Sequence, residues 1–153
     1  MKELSLTLLL ILLAACSNEQ APSRIPDMPV QVQIPIGSDL NTILSTKSIT
    51  SPEGYPADTR LGYGGVLVVN GFATNSENSS FYAFDLACPH EANSQIRIRI
   101  DKEKLDAYCP QCQSRFDIFH GSGIPTAGIA KKNKSGLKHY RTILQGNYVR
   151  ITR

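Results

Sequence analysis

The sequence predicts an all-β domain, a small antiparallel sandwich or barrel. Short segments alternate apolar and polar residues with a period of two, and they recur at intervals of about ten to fifteen residues between clusters of Gly, Asn, Ser and Pro. No stretch after Cys16 keeps a helical periodicity over a window of about eleven residues. Hydrophobic residues make up 41% of the chain, which is enough for one core and excludes a disordered chain.

Five segments carry the strand patterns, and each has its own signal. Residues 30–34 alternate and end at Pro35, as expected for a half-buried strand at a sheet edge. Residues 66–69 are an apolar run between glycine-containing turns, which predicts a buried strand. Residues 96–100 and 148–151 also alternate apolar and polar residues, whereas residues 81–86 alternate large and small ones. Two further strands are predicted at residues 105–108 and 138–144, and residues 37–60 have weak patterning that leaves their structure open.

The N-terminus is typical of an export signal. Residues 4–13 are an apolar run interrupted only by Ser5 and Thr7, which is too short to cross a membrane stably. The run ends in Leu13-Ala14-Ala15-Cys16, which resembles a bacterial lipobox, where cleavage precedes a cysteine that becomes lipidated. We therefore expect residues 1–15 to be a lipoprotein signal peptide and acyl chains on Cys16 to anchor the protein in a membrane. An ordinary secretory signal with an unmodified Cys16 is the alternative.

The segment after Cys16 predicts a tether. Residues 16–29 contain three prolines and little apolar periodicity, so we expect them to hold a domain of residues 30–153 off the membrane surface. Removing 15 of the 153 residues leaves 138, the size of one domain. The predicted location is the bacterial cell envelope. Ser17, which is not an aspartate, favours the outer membrane by analogy with the proteobacterial sorting rule.

Charge and motifs exclude several function classes. The formal net charge is +3, and no basic stripe runs along the chain, so nucleic acid is not an expected partner. No Ser-His-Asp arrangement, paired-carboxylate motif or phosphate-binding loop is present, so no small-molecule substrate is indicated and the chain is not expected to be an enzyme alone. The Lys131-Lys132-Asn133-Lys134 run is either a solvated loop or a contact for anionic lipid or an acidic redox partner.

Three of the four cysteines fall into two clusters. These are Cys88-Pro89-His90 and Cys109-Pro110-Gln111-Cys112, and residues 91–108 separate them. Two loops that each present two soft or borderline ligands are a metal-site pattern, and the proline in each loop restricts the backbone. A hairpin in the intervening residues would bring the loops together. The pattern indicates a metal centre with Cys88, His90, Cys109 and Cys112 as ligands.

With these motifs the chain resembles the Rieske [2Fe–2S] domains. That family has Cys-x-His in one loop and Cys-x-x-His in the next, and the second loop reads Cys-Pro-x-His-Gly-Ser before an aromatic residue and Asp. Residues 109–117 read CPQCQSRFD, and the similarity continues to residues 127–130, AGIA, where the family has a segment over the cluster. The resemblance covers about residues 65–153. It implies a small cluster-binding subdomain, electron transfer or redox sensing, and a hydrogen bond from Ser114 to a ligand sulfur.

The chain departs from the family pattern at two positions, with Cys112 in place of the second His and Gln113 in place of Gly. An oxidised [2Fe–2S] core carries +2, so three thiolates give −1, between 0 for a Rieske centre and −2 for a plant-type ferredoxin. Rieske centres have reduction potentials of about −150 to +300 mV, and plant-type ferredoxins have potentials of about −400 mV. Because negative charge opposes reduction, we expect the reduction potential of this centre to lie between those of the two classes. Phe116 stands where high-potential members often have Tyr.

Alternatives to the cluster remain open from the sequence. Three Cys and one His are also a standard zinc site. The N-terminus has no twin-Arg signal, whereas [2Fe–2S] clusters are normally assembled before export. A domain without metal, with Cys109 paired to Cys112 or Cys88 in a disulfide, would be a binding or structural module. An oxygenase is not expected, because 138 residues leave no room for a second, mononuclear-iron domain. The expected partners are a membrane, through Cys16, and a redox protein.

Overall fold

The computed structural model describes residues 22–73 and 80–153. The predicted signal peptide, Cys16 and the first part of the predicted tether lie outside these ranges, so their predictions remain untested. In the described ranges, no helix is long and apolar enough to cross a membrane.

Strands dominate the described residues, with two four-residue helices, α1 Gly37–Leu40 and α2 Ile129–Lys132. The strands are β1 Val30–Pro35, β2 Thr46–Ile49, β3 Arg60–Leu61, β4 Val66–Asn70, β5 Phe81–Asp85, β6 Ala87–Cys88, β7 Asn93–Arg97, β8 Arg99–Asp101, β9 Asp106–Tyr108, β10 Arg115–Phe116, β11 Pro125–Ala127, β12 His139–Gln145 and β13 Tyr148–Thr152.

Seven strands form the main sheet, in the order β2-β4-β5-β12-β13-β1-β3, and every pairing is antiparallel. The four apolar residues of β4 are fully buried because β2 and β5 flank this strand and the core covers both faces. In β1, Val32 and Ile34 are buried while Gln31, Gln33 and Pro35 are exposed, as the period of two predicts. The all-β, antiparallel fold class is confirmed.

A smaller subdomain is built on this sheet. It consists of a four-stranded sheet in the order β11-β10-β9-β8 and the two-stranded pair β6-β7. Its apolar side chains share one core cluster with β4 and β5, and that cluster includes Phe84, Phe116 and Phe119, all fully buried. Both cysteine-containing loops leave strands of this subdomain. They are positioned relative to the main sheet through the core cluster that the subdomain shares with β4 and β5.

Several predicted elements differ from the observed ones. The strand predicted over residues 96–100 is interrupted at Ile98, whose N–H donates to the carbonyl of Leu86 (2.8 Å) and whose side chain is buried. All three isoleucines of this segment pack on one core cluster, as the alternation predicts, but the strand is divided because β7 pairs with β6 whereas β8 pairs with β9. The strand at residues 30–34 is not at the edge, since β3 pairs with its outer side. The weakly patterned residues 37–60 contain α1 and β2.

The described part of the predicted tether contacts the domain. Ile25 is buried, the carbonyl of Pro22 accepts a hydrogen bond from the Gly136 N–H (3.2 Å), and Asp27 forms ion pairs with Lys138 and Arg153. The hydrogen bonds from Lys138 and Arg153 lower the pKa of Asp27. Residues 22–27 therefore contact the domain near the ends of β12 and β13, and the domain boundary at residue 30 stays a prediction.

Candidate metal centre

Loop 1, residues 88–92, follows β6 and presents Cys88 and His90. It closes through a hydrogen bond from the Ala92 N–H to the Cys88 carbonyl (2.9 Å), with Ala92 in the left-handed region at φ +49°. The Tyr63 hydroxyl donates to the Ala92 carbonyl (3.0 Å) and ties this loop to the residues before β4. These contacts fix the backbone on both sides of His90.

A buried carboxylate supports the start of loop 1. Asp85, at the end of β5, is fully buried and accepts four hydrogen-bonded groups. Its donors are the N–H groups of Tyr63 (2.9 Å), Gly64 (2.9 Å) and Ala87 (2.7 Å) and the hydroxyl of Tyr140 (2.5 Å). Burial, together with the nearby Asp85 charge, raises the pKa of Tyr140, so this hydroxyl stays a donor. Asp85 thereby holds the turn between β5 and β6 that delivers Cys88.

Loop 2, residues 109–114, joins β9 to β10. The Cys109 N–H donates to the Ser114 carbonyl (2.9 Å), and the Gln113 N–H donates to the Cys109 carbonyl (3.0 Å). This closure puts Gln113 in the left-handed region at φ +57°, and its side-chain amide donates to the Pro110 carbonyl (2.7 Å). Position 113 therefore has a conformation that favours glycine, yet this chain carries glutamine there.

An ion-pair cluster holds the strands below loop 2. The Arg115 guanidinium contacts Asp106 through Nε (2.6 Å) and Nη2 (2.5 Å), and its Nη2 also contacts Asp101 (2.5 Å). Its Cζ lies 5.6 Å from the centre of the Tyr108 ring. These carboxylates, with Asp106 contributing most, raise the pKa of Arg115. Since Tyr108 and Arg115 flank loop 2, the cluster fixes the separation of the two loop ends.

Three of the four predicted ligands come together. The sulfur atoms of Cys88, Cys109 and Cys112 all lie within 4.8 Å of one another, and those of Cys88 and Cys112 are 3.7 Å apart. All three thiols are free. Cys88 and Cys109 are fully buried, while Cys112 is half-buried. The two loops thus converge on one group of sulfurs, in which Cys112 alone is partly exposed.

The surroundings of the thiols oppose the charged form unless a cation is bound. Burial raises the pKa of Cys88 and of Cys109. Backbone hydrogen bonds act in the opposite direction, from Glu91 and His90 toward Cys88 and from Cys112 and Gln111 toward Cys109, but they do not cancel the effect of burial. A bound metal would therefore displace protons from these thiols and supply the positive charge that stabilises the thiolates.

Ser114 lies next to the third thiol. It is fully buried, and its Oγ is 3.2 Å from the Cys112 sulfur and accepts a hydrogen bond from the Ala130 N–H (3.0 Å). When Cys112 is a thiolate, the serine hydroxyl is the group of this pair that can donate. Gly128 permits the close approach of this segment, because a Cβ there would lie 2.6 Å from the Ser114 Cα. Residues 128–130 therefore pack on loop 2 at Ser114.

His90 is the fourth predicted ligand, and its ring nitrogens are not part of the compact group that the three sulfurs form. It is half-buried, and its Nδ1 lies 3.4 Å from the side-chain nitrogen of Asn133. Nearby, the Ser135 hydroxyl donates to the Pro89 carbonyl (3.3 Å). The segment that follows α2 thus contacts loop 1, while Ala130 of α2 contacts loop 2, and ligation by His90 stays a prediction.

The sequence did not indicate three contributors to this site, namely Asp85, Arg115 and Asn133. Asp85 had a weak signal, since it is the only charged residue in the apolar segment FYAFDL. Arg115 had none, because its partners Asp101 and Asp106 become neighbours only through the pairing of β8 with β9. Asn133 belongs to a lysine-rich run that gave no hint of a contact with His90.

No family model matches the chain, and comparison with curated proteins gives no match. Among solved structures, the chain is similar to the ferredoxin of carbazole 1,9a-dioxygenase from Nocardioides aromaticivorans IC177. The two share 21% sequence identity at a TM-score of 0.45, over 82% of this chain and 97% of that chain.

Proposed function

We propose that this protein is a membrane-tethered, Rieske-like iron–sulfur protein that transfers electrons or senses redox state. The observation that supports the proposal most is the convergence of the three free thiols of Cys88, Cys109 and Cys112 from two separate loops. In this assignment His90 is the fourth ligand of a [2Fe–2S] cluster. The proposal gives the chain the role of an electron carrier and assigns no substrate chemistry to it.

The donor set fits such a cluster. Thiolates and imidazole are its usual protein ligands, and when bound it would supply reversible one-electron chemistry. The chain contributes the rest of the environment. Apolar side chains, including Phe116 and Ala107, bury Cys88 and Cys109, and backbone N–H groups face the sulfurs. Ser114 is placed to donate a hydrogen bond to Cys112 and so to stabilise added negative charge there.

The difference in exposure across the site supports electron exchange at one side. Cys88 and Cys109 are fully buried, whereas His90 and Cys112 are half-buried, and Pro110 and Gln111 of loop 2 are exposed. A redox partner would therefore approach the His90 and Cys112 side. A site meant only to crosslink the fold has no need of such an open side.

The membrane tether is a separate part of the proposal and rests on sequence alone. The Leu13-Ala14-Ala15-Cys16 motif supports lipid attachment at Cys16, with cleavage of residues 1–15. Anchored in this way, the domain would work at a bacterial envelope membrane, and Ser17 favours the outer one. Mass spectrometry of the mature N-terminus tests it: an acylated Cys16 is expected, and an unmodified one contradicts the tether.

Metal analysis of protein isolated from its native envelope tests the cluster. We expect iron and labile sulfide in a 1:1 ratio, and a paramagnetic resonance signal after reduction with dithionite. Protein from the native envelope is needed because overproduced protein can acquire the wrong metal. Stoichiometric zinc without iron would contradict the proposal.

A structural zinc site is the second candidate, and one distance favours it. Three sulfurs on one tetrahedral ion with Zn–S bonds of about 2.3 Å would be separated by about 3.8 Å. The sulfurs of Cys88 and Cys112 are 3.7 Å apart. The protein would then be a binding or structural module. Counting thiols after removal of metal under denaturing conditions separates both metal sites from a disulfide: three thiols besides Cys16 indicate a metal site, and one indicates a disulfide.

A further inference from the structure

Three exposed lysines lie beside the metal centre. Lys131, Lys132 and Lys134, called here the lysine segment, are at the end of α2 and just after it. The contacts of neighbouring residues hold this part of the chain against both loops. Ala130 donates to Ser114 of loop 2, Asn133 lies beside His90, and Ser135 donates to the Pro89 carbonyl of loop 1. The three positive charges therefore border the half-buried side of the site.

The positive charge of the lysine segment is not neutralised within the described part of the chain. None of the three lysines forms an ion pair there, whereas Lys47 pairs with Asp39 and Lys138 pairs with Asp27. Residues 128–136 read GIAKKNKSG and contain no acidic residue. The acidic residue of loop 1 is Glu91, which is half-buried. The surface around the His90 side of the centre thus carries an excess of positive charge.

We propose that the lysine segment is the docking surface for an acidic redox protein, which rests on the electron-transfer function proposed above. Complementary charge would orient the partner and speed its association, and the contacts to loops 1 and 2 place the docked partner against His90 and Cys112. The lysine segment would select partners that carry negative charge on the surface around their redox group.

The observations favour a protein over a lipid surface. Membrane-binding basic segments combine Lys or Arg with inserted apolar side chains. The large exposed hydrophobic residues of the described chain lie elsewhere, and none is in residues 128–136 or in loops 1 and 2; they are Met28, Ile43, Leu105, Ile124, Ile143, Leu144 and Tyr148. A lipid surface against the lysine segment would also cover the side through which electrons are exchanged.

The first test uses a redox-inert, paramagnetic anion, hexacyanochromate(III), with the full-length protein in a neutral detergent. The anion should broaden the amide resonances of residues 131–135 selectively. The variant Lys131→Glu/Lys132→Glu should lose this broadening, and Lys131→Gln/Lys132→Gln should weaken it. The control Arg141→Glu/Arg150→Glu makes the same charge change on exposed positions of β12 and β13 and should keep it. Broadening elsewhere, or broadening that survives Lys131→Glu/Lys132→Glu, would overturn the proposal.

The second test measures oxidation of the reduced protein by anionic tris(oxalato)cobaltate(III). The second-order rate constant should fall as salt is added, and Lys131→Glu/Lys132→Glu should lower it about tenfold at low salt while the Arg141→Glu/Arg150→Glu control changes it less. Equal effects of the two variants would contradict the docking surface. A protein without a cluster has no such reaction, which refutes the proposed function, while the chromium test still decides whether this surface attracts anions.

A membrane is the competing occupant. Vesicles of phosphatidylcholine with and without phosphatidylglycerol separate the two, since the lipid anchor binds both kinds. If the phosphatidylglycerol-dependent part of binding disappears in Lys131→Glu/Lys132→Glu, the surface contacts lipid and the protein-partner proposal is wrong. Equal binding of wild type and variant is the expected result.

Discussion

The main sheet and the smaller subdomain, which carries the candidate metal centre, are stabilised in different ways. In the sheet, inward-facing and outward-facing residues alternate along the strands. Val32, Ile34 and Ile151 are buried in an apolar cluster that is separate from the cluster around Cys88 and Cys109. In the subdomain, most strands have only two or three residues, and polar contacts hold the backbone, namely those of Arg115, of Ser114 and of Asp85 at the turn before β6. The subdomain also contains residues in the left-handed region, such as Ala92 and Gln113.

This difference separates stability from ligand placement. Apolar burial is non-directional, so a sheet can lose a methylene and keep its strand order. Hydrogen bonds and ion pairs have defined geometry, so the polar contacts of the subdomain determine where the thiols lie. Substitutions in the sheet should therefore change the free energy of unfolding, whereas those in the subdomain should change metal retention as well.

The largest loss of stability is expected for Ile34→Ala. Ile34 is fully buried in the sheet's cluster, and removing its side chain should lower the free energy of unfolding by about 2–5 kcal/mol. Metal content of the folded protein should stay unchanged, because Ile34 belongs to a different cluster from the thiols. Urea titration with metal analysis measures both quantities. Gln33→Ala, at an exposed position of the same strand, is the control, and metal loss from folded Ile34→Ala protein would contradict the separation.

Asp85→Asn should affect both regions. In the wild type, four donors bond to the two carboxylate oxygens of Asp85, whereas the asparagine amide has only one acceptor oxygen. Each buried donor left without a partner costs about 1–3 kcal/mol. Because Asp85 holds the turn before Cys88, a chelator should also remove the metal faster. Thermal unfolding and the rate of metal loss are the measurements. Asp58→Asn, whose carboxylate is bonded on the exposed surface by Gln31, is the matched change, and an equal effect there would disprove the role of Asp85.

Gln113→Gly should stabilise the subdomain slightly. Gln113 is in the left-handed conformation, which costs an L-residue about 1–2 kcal/mol and which glycine adopts without this cost. Glycine also increases the conformational entropy of the unfolded chain, which offsets part of this stabilisation, so the free energy of unfolding should rise by about 0.5 kcal/mol. Gln111→Gly, in the same loop and outside the left-handed region, should give a small loss. Urea midpoints of the two variants test the comparison, and a loss for Gln113→Gly would show that its bond to Pro110 matters more than its backbone conformation.

The smallest expected effect is a pH dependence of the free energy of unfolding, caused by His139 in β12 of the main sheet. Burial lowers the pKa of His139 below its ordinary value of 6.5, although its bond to the Ser122 carbonyl acts the other way. The unfolded chain therefore binds the proton more readily, so stability is present above pH 6.5 and is lost as the pH falls below it. His139→Gln keeps a donor for that carbonyl and should flatten the dependence between pH 5 and about pH 7 in urea titrations. An unchanged slope would place the effect elsewhere.

Much of the fold follows from local patterns in the sequence. The alternation of residues 30–34 and the apolar run of residues 66–69 gave β1 and β4, because burial of one or both strand faces leaves a direct signature. The two ligand loops were visible from ligand type and spacing, and the structure brings their three thiols together.

The remaining features depend on contacts between distant segments. The interruption at Ile98 depends on the Leu86 carbonyl, and the turn at Asp85 needs donors from Tyr63 and Gly64. The same holds for residues 22–27, whose contacts with the domain are made to Gly136, Lys138 and Arg153. No local pattern carries this information, since each contact spans a dozen residues or more.

Potentiometric titration of the wild type and Cys112→His tests the central claim most directly, namely that three thiolates from two loops bind one iron–sulfur centre with His90. Replacing a thiolate by a neutral imidazole makes the oxidised centre less negative by one charge, so the reduction potential of Cys112→His should be higher than that of the wild type. Cys112→Ser, which keeps an oxygen ligand available without the imidazole, is the control. An unchanged or lower potential in Cys112→His would contradict the assignment of Cys112 as a ligand.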